Sequence, residues 1–378
     1  MTHQDLPAPT GRENNFDALR LSMALLVIFS HAYPLATGRQ LAGGEMVSLG
    51  ALAVAVFFIA SGYLIAMSWA RSKSLRDFLN RRAARIVPGF LVAFILSAWV
   101  IGPMASERPM SWFSESTVET NLVRLALLHH VEGDAFMDNP YPVKVNGSLW
   151  TIRFEFGCYL LVALAGVMGL MSRRWLVLGT FAASWAILLA WANGWVNPDL
   201  GYYGNFILGY PGNWLQFGTP FLAGATAYAF RDHIRYNGKV ALVAAAAVVA
   251  TFVLQDFLVH LCIWPIAVTY LVFWFAFTPA IRLHHTVARL GGDYSYGLYL
   301  YAFPVQQICV KWLGCHGEPL TLFVIATAIT LVLGVLSWRL IERPFVSRRV
   351  PRRAATAVAS SRQLADSRAY QAPLPLGA

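Results

Sequence analysis

Charge is scarce in this chain. Only 13% of its 378 residues are Asp, Glu, Lys or Arg, about half the share found in an ordinary soluble domain, while 57% are apolar. That balance excludes a water-soluble globular fold. Cysteine is scarce as well, with four residues, so no disulfide-stapled scaffold is expected. Cys158 falls in an apolar span, while Cys262, Cys309 and Cys315 fall toward the outer face and leave one bridge there open. No cysteine pair has metal-ligand spacing, and no metal is implied. No early short apolar segment is followed by a cleavage-like A-x-A site, so no removable signal peptide is expected and the first span should itself direct insertion. The apolar core has no internal repeat and no low-complexity block. Nor is there a basic surface backed by a soluble fold, which nucleic acid would need.

What the chain has in abundance is long apolar runs. They predict an all-α, polytopic integral membrane protein, a bundle of ten spans near 16–36, 47–69, 86–104, 147–171, 175–193, 213–230, 239–255, 259–279, 293–312 and 320–340. An even count puts both termini on one side. Basic residues divide 21 to 5 between the two faces. The richer face holds 71–85, Arg173, Arg174 and the C-terminal arginines, so it and both termini are expected to be cytoplasmic. The net charge of +10 then reflects topology and anionic membrane lipid. Residues 1–345 read as one membrane domain, and 346–378, rich in Ala, Ser, Arg and Pro, as a disordered cytoplasmic tail. Two outer segments exceed what a connector needs. In 105–146 the string TVETNLVRLALLHH suits a short amphipathic helix on the membrane surface. In 194–212 aromatic rings alternate with Gly and Asn, a composition open to sugar stacking or to interfacial anchoring.

Ionisable residues inside such spans are costly and point to use. Arg20 and His31 lie eleven residues apart in the first span, about 16 Å along a helix and on nearly one face. Snorkelling of the two to opposite headgroup layers is one reading. The other is chemistry, with a neutral His31 as the general base that takes a proton from a hydroxyl. Asp17 is an i, i+3 neighbour able to pair with Arg20, and both count with His31 and Glu155 as candidate catalytic residues, Arg20 to stabilise developing negative charge or the donor. Ser61-Gly62 in the second span marks a close helix approach. Arg81, Arg82 and Arg85 stand just before the third span, Arg82 and Arg85 on one helix face. The guanidinium fork binds oxygen pairs, so these three suit the phosphates of a nucleotide-bearing cytosolic donor, beyond what topology alone demands. Pro88 is tolerated if it sits in a first helical turn. In the fourth span Asn146 or Ser148 can cap, and Glu155 is expected about 10 Å from the outer end. There it would orient or assist His31, or else pair with Arg153 or Arg20. The tyrosines and Gln306-Gln307 of the ninth span, and Glu342-Arg343 after the tenth, read as mainly structural.

The strings FDALR…SHAYP, VAVFFIASGYLI, RRAARIVP, NGSLWTIRFE, SYGLYLYAFPVQQ and IERP occur in this order over nearly the whole core. Together they resemble the acyltransferase-3 family of integral membrane acyltransferases. The resemblance implies a ten-span protein that takes an acyl group, often acetyl, from cytosolic acyl-CoA and places it on a glycan, a lipid-linked sugar or another hydroxyl acceptor. The family's arginine and histidine of the first span fall on Arg20 and His31, its arginine pair on Arg82 and Arg85, and its span-four glutamate on Glu155. Acyl-CoA would be the donor substrate, with no permanently bound cofactor and with polysaccharide-assembly proteins as partners. Two positions depart from the pattern: Ala55 replaces a frequent aspartate, and Ala302 replaces a frequent histidine. No hydrolase-like soluble domain follows the tenth span, so the membrane domain is expected to meet the acceptor itself. The rival expectations are a transporter or flippase of a sugar or acyl compound, since intramembrane His, Glu and Arg also mark carriers, and a non-catalytic subunit of a polysaccharide assembly.

Overall fold

The computed structural model describes residues 14–41, 47–197, 199–278, 283 and 292–347. The expected tail at 346–378 falls almost wholly outside the described residues, as do Arg12, Arg282, Arg289 and the arginines from Arg348 onward.

Serine caps open two of the first three helices. After α1 (Phe16–Thr37), Ser48 Oγ accepts the Ala51 N–H at 3.1 Å and starts α2 (Leu49–Ala70). Ser74 Oγ accepts the Asp77 N–H at 3.2 Å and starts α3 (Leu75–Leu96). Because that cap lies well ahead of the apolar run, the basic segment is itself helical. Pro88 therefore stands in mid-helix, not in a first turn. A π turn, Ser97–Ile101, and a last turn, Gly102–Ala105, extend α3 to a rod of 31 residues. The segment that follows contains α4 (Glu115–Ala126), the amphipathic helix expected there, and a small antiparallel hairpin of β1 (Val131–Glu132) and β2 (Lys144–Asn146). A 3-10 turn, Gly147–Thr151, capped by Asn146, leads into α5 (Ile152–Val167). Then come α6 (Arg174–Ala192), α7 (Gly201–Leu208), α8 (Pro211–Ala229), α9 (Gly238–Leu254), α10 (Phe257–Phe277), α11 (Ser295–Trp312) and α12 (Pro319–Leu336). A second π turn, Ser337–Glu342, carries α12 onward to Ser347.

Seven of these helical rods are long and apolar enough to cross a membrane: those containing α1, α2, α3, α5, α6, α10 and α12. Helices α8, α9 and α11 occupy the other three expected spans; α9 is short at 17 residues, and α8 and α11 carry more polar side chains. Leu161, Val332, Leu242, Val243 and Val253 are each more than half exposed, an apolar surface suited to lipid tails. The chain is an all-α, multi-pass membrane protein.

Helices α2 and α8 meet backbone to backbone at the expected place. A Cβ on Gly62 would stand 1.9 Å from the Phe221 carbonyl oxygen, and one on Gly224 1.9 Å from that of Ile59. Helix α1 packs between α2 and the α11–α12 pair. That position brings Arg20 and His31 into the bundle.

Candidate active site

The N-terminal end of α1, termed inner for the basic residues gathered around it, is tied to three other elements by charge. Arg20 Nη1 donates to Asp293 Oδ2 at 2.9 Å, and the same oxygen accepts from Arg85. The other carboxylate oxygen accepts from Ser295 Oγ at 2.5 Å. Arg85 also lies 3.8 Å from Glu342 Oε2, a fully buried carboxylate whose Oε1 accepts from Ser337 Oγ at 2.9 Å. The rings of Tyr296 and Trp338 lie 5.9 and 5.5 Å from the Arg85 guanidinium. Two arginines and two acids thus neutralise one another where water is scarce. Asp293 was not among the expected residues; its sequence signal is a lone carboxylate, in GGDYS, at the head of an apolar run. Asp17, expected as the Arg20 partner, is exposed and in no ion pair among the described residues. It stands in the first turn of α1, near enough to Arg20, Arg85 and Asp293 to act on them electrostatically, while the head of α11 delivers Asp293 into direct contact with both arginines.

The three arginines before the third span part company. Arg81 is bound by Asp77 one turn back, with Nε donating at 3.1 Å. Arg85 is held by Asp293 and Glu342. Arg82 is in no ion pair among the described residues, and its Nε is buried without a hydrogen-bond partner. Arg82 is therefore the arginine with unused capacity for an anion.

Glu155 joins this inner group. Its Oε1 accepts from Ser61 Oγ at 2.9 Å and from Tyr159 OH. It lines a small cavity of about 50 Å³ with Arg20, Phe57, Ser61, Ser295 and Tyr296. His31 does not line that cavity. The expected level of Glu155 beside His31 is corrected by the path of the chain. An added Cβ on Gly147 would stand 2.7 Å from the Phe303 ring, and Phe303 is the ring packed on His31. From Gly147 the chain descends through the 3-10 turn, about 2.0 Å per residue, and then α5, about 1.5 Å per residue. Glu155 is therefore about 14 Å further in, level with Arg20. Neither Arg20 nor Arg153 pairs with Glu155.

His31 occupies the outer half of α1. Its ring meets Phe303 edge-on, with centroids 5.4 Å apart. Its Nδ1 is buried and has no hydrogen-bond partner among the described residues. Lys144 of β2 is near enough to act electrostatically on the ring. An unpartnered ring nitrogen in a buried site is costly and is left open for a proton or a donor group.

Arg153 turns away from the arginine cluster, toward His129 and α7. It contacts His129 Nε2 at 2.5 Å through Nη1, and its Nη2 donates to the carbonyls of Phe206 and Ile207 at 3.2 and 2.7 Å. This cluster pins the two outer segments together. Burial, aided by the Arg153 cation, pushes the His129 imidazole down to about 4. A hydrogen bond from His130, with Arg124 nearby, holds the Glu132 carboxyl down to about 2. Asn146 caps as expected, its Oδ1 accepting the Ser148 N–H at 3.2 Å, and its amide nitrogen reaches the Leu300 carbonyl at 3.0 Å. Gln306 donates to the Ile28 carbonyl and Gln307 to that of Tyr141, structural roles as read. All four cysteines are free.

The family model for an acyltransferase domain matches residues 13–339, a stretch that contains every residue of this site except Glu342. An O-acetyl transferase of Shigella phage Sf6 is 30% identical over 346 residues, covering 90% of this chain and 98% of that protein. Nodulation protein 10 of Rhizobium leguminosarum bv. viciae is 28% identical over 368 residues, covering 89% and 94%. The exopolysaccharide production protein ExoZ of Rhizobium meliloti (strain 1021) is 26% identical over 338 residues, covering 84% and 96%. No solved structure matches. With apolar helices forming the bundle and the family match running through nearly all of it, the chain belongs to the acyltransferase-3 family and is a multi-pass membrane acyltransferase.

Proposed function

We propose that this enzyme moves an acyl group, acetyl in the first instance, from cytosolic acyl-CoA to a hydroxyl of a glycan or lipid-linked sugar. It would do so in a bacterial inner membrane, with ten spans and both termini cytoplasmic. The observation that carries the reading is the buried, unpartnered Nδ1 of His31, at the outer end of the helix whose inner end is tied to the arginine cluster. The relatives named as an O-acetyl transferase and an exopolysaccharide production protein support the acceptor class.

In this mechanism the CoA phosphates rest on Arg82, with Arg81 and Arg85 adding to the positive potential of the inner mouth. The pantetheine arm rises along the cavity walled by Arg20, Ser61, Glu155 and Tyr296. A volume of about 50 Å³ holds only a few waters, so the helices part to admit the arm. Arg20, about 16 Å from His31 along α1, holds the donor and is too far away to stabilise charge at the reacting carbonyl. His31 takes the proton of the acceptor hydroxyl. The hydroxyl oxygen attacks the thioester carbonyl carbon, the C–S bond breaks, and the CoA thiolate leaves with the proton returned by the imidazolium.

Purified full-length protein given radiolabelled acetyl-CoA and extracted surface glycan tests the reading. The expected result is donor consumption in step with glycan acetylation. Donor left intact, or label that never reaches glycan, overturns it. Cysteine labelling at Ser111 and Asn205 tests the topology, and reaction from the cytoplasmic side alone would reverse it.

A further inference from the structure

Helix α4 carries apolar residues on two sides. Leu125 packs against the core, while Leu122 and Val123 are 51% and 48% exposed, and its polar stripe borders a groove. There Thr117, Thr120, Asn121 and Arg124 face Glu132 and Asp134 of the hairpin segment across a groove of about 320 Å³. Pockets that take small organic ligands run from about 300 to 1,000 Å³. A helix arranged this way suits lipid on its outside and a polar guest on its inside.

The groove holds hydrogen-bonding capacity that the protein does not use. Asn121 is 1% exposed, and its Nδ2 has no partner among the described residues. Asp134 accepts the Trp112 indole N–H through Oδ1 at 2.8 Å, and its other oxygen accepts no hydrogen bond among the described residues. Glu132 is already taken, by His130 at 2.6 Å and Arg124 at 3.6 Å. An amide donor and a carboxylate acceptor facing hydroxyl-bearing threonines match the alternating donors and acceptors of vicinal sugar hydroxyls. One arginine against two carboxylates leaves the groove net negative, which disfavours phosphate and uronate.

We infer that the groove between α4 and the hairpin is a carbohydrate subsite that takes a neutral pyranose unit of the acceptor; this rests on the glycan-acylating reading above. The test uses full-length protein in detergent on an array carrying neutral pyranose oligosaccharides and uronic-acid oligosaccharides. Neutral glycans are retained and uronates are not. Asn121→Leu and Asp134→Asn each lower retention tenfold or more, the asparagine still offering Trp112 an oxygen. Ser111→Cys, on the exposed rim, blocks retention only after labelling of the folded protein with a bulky maleimide. Retention unchanged in the variants and the labelled protein, equal capture of uronates, or no neutral glycan held by the unaltered protein overturns the inference. Acetyl-CoA turnover in the same preparations separates the two readings. Glycans held in the groove without donor consumption would sink the transferase reading and leave the subsite standing. Glycan acetylation with an acceptor KM unchanged in the groove variants would sink the subsite alone.

Discussion

The two ends of α1 present ionisable side chains on one face in opposite circumstances. At the inner end Arg20 shares Asp293 with Arg85, and Glu342 completes a neutral set. At the outer end His31 lies against a phenylalanine with a ring nitrogen left bare. A charge-paired network holds helices in place, and removing one member leaves the others uncompensated. A bare nitrogen stabilises nothing; its worth lies in what it can accept. Position on the helix is shared by the two ends, so the division between anchor and reagent comes from the partners each side chain meets.

The largest effect expected of that division is on catalysis. His31→Gln, which keeps polarity but cannot carry a proton, should lower turnover by about 10²- to 10⁴-fold, with insertion and thermal stability near those of the unaltered protein. The rate of the unaltered protein should fall as pH drops through the imidazole titration, because a protonated ring is no base. Turnover preserved in the glutamine variant would move the proton acceptor elsewhere.

At the other end stability should respond first. Asp293→Asn leaves two arginines facing each other, and losing one partner of a buried pair costs about 3–5 kcal/mol. With Arg20 and Asp293 side chains 25% and 14% exposed, the lower end of that range is expected in detergent unfolding. Asp17→Asn should stay within about 0.5 kcal/mol. An equal loss in the two variants would show that Asp17 shares the network.

Donor affinity should sort the arginines by their existing partners. Arg82→Ala should raise the acyl-CoA KM by about 10- to 100-fold, the worth of a charged hydrogen bond of about 1.5–3 kcal/mol, and Arg82→Lys should recover only part of it. Arg81→Ala should change it less than twofold, since Asp77 already holds that guanidinium. The reverse order would place the phosphates on the outer flank of α3.

The smallest effect concerns the outer segments. His129 in the folded chain titrates at about 4, below its ordinary value of about 6.5. The unfolded segment therefore binds more protons between those values, so docking is fully stable above about pH 6.5 and weakens as pH falls toward 4. Glu132, held to about 2, stays ionised in the folded chain, but once released it titrates near its ordinary value of about 4.3, so it adds to the same loss at the acidic end of that window. Hydrogen exchange at Phe206 and Ile207, corrected for intrinsic rates, should rise over that range. Exchange flat with pH would mean that Arg153 pins the segments without help from a neutral His129.

Much of this protein was legible in the chain itself. Long apolar runs can satisfy their backbone in lipid only as helices, so the all-α membrane class and the approximate helix limits follow from composition and hydropathy. Arg20, His31, Arg82, Arg85 and Glu155 stand out because an ionisable group in such a run is expensive, and the ordered motifs name the family. What each of those groups touches was decided by tertiary structure. Asp293 is 273 residues from Arg20, and no periodicity relates them. The depth of Glu155 depended on where the chain enters the bundle beside Phe303 and on the 3-10 turn, Gly147–Thr151, that opens its span, and hydropathy does not distinguish that turn from more helix. Arg81, Arg82 and Arg85 read as one basic cluster in the sequence, yet an i−4 aspartate and a distant carboxylate claim two of them. Burial cost is a property of one residue and can be read one residue at a time. Partnership depends on which surfaces the fold brings within about 4 Å, and only the packed bundle sets that.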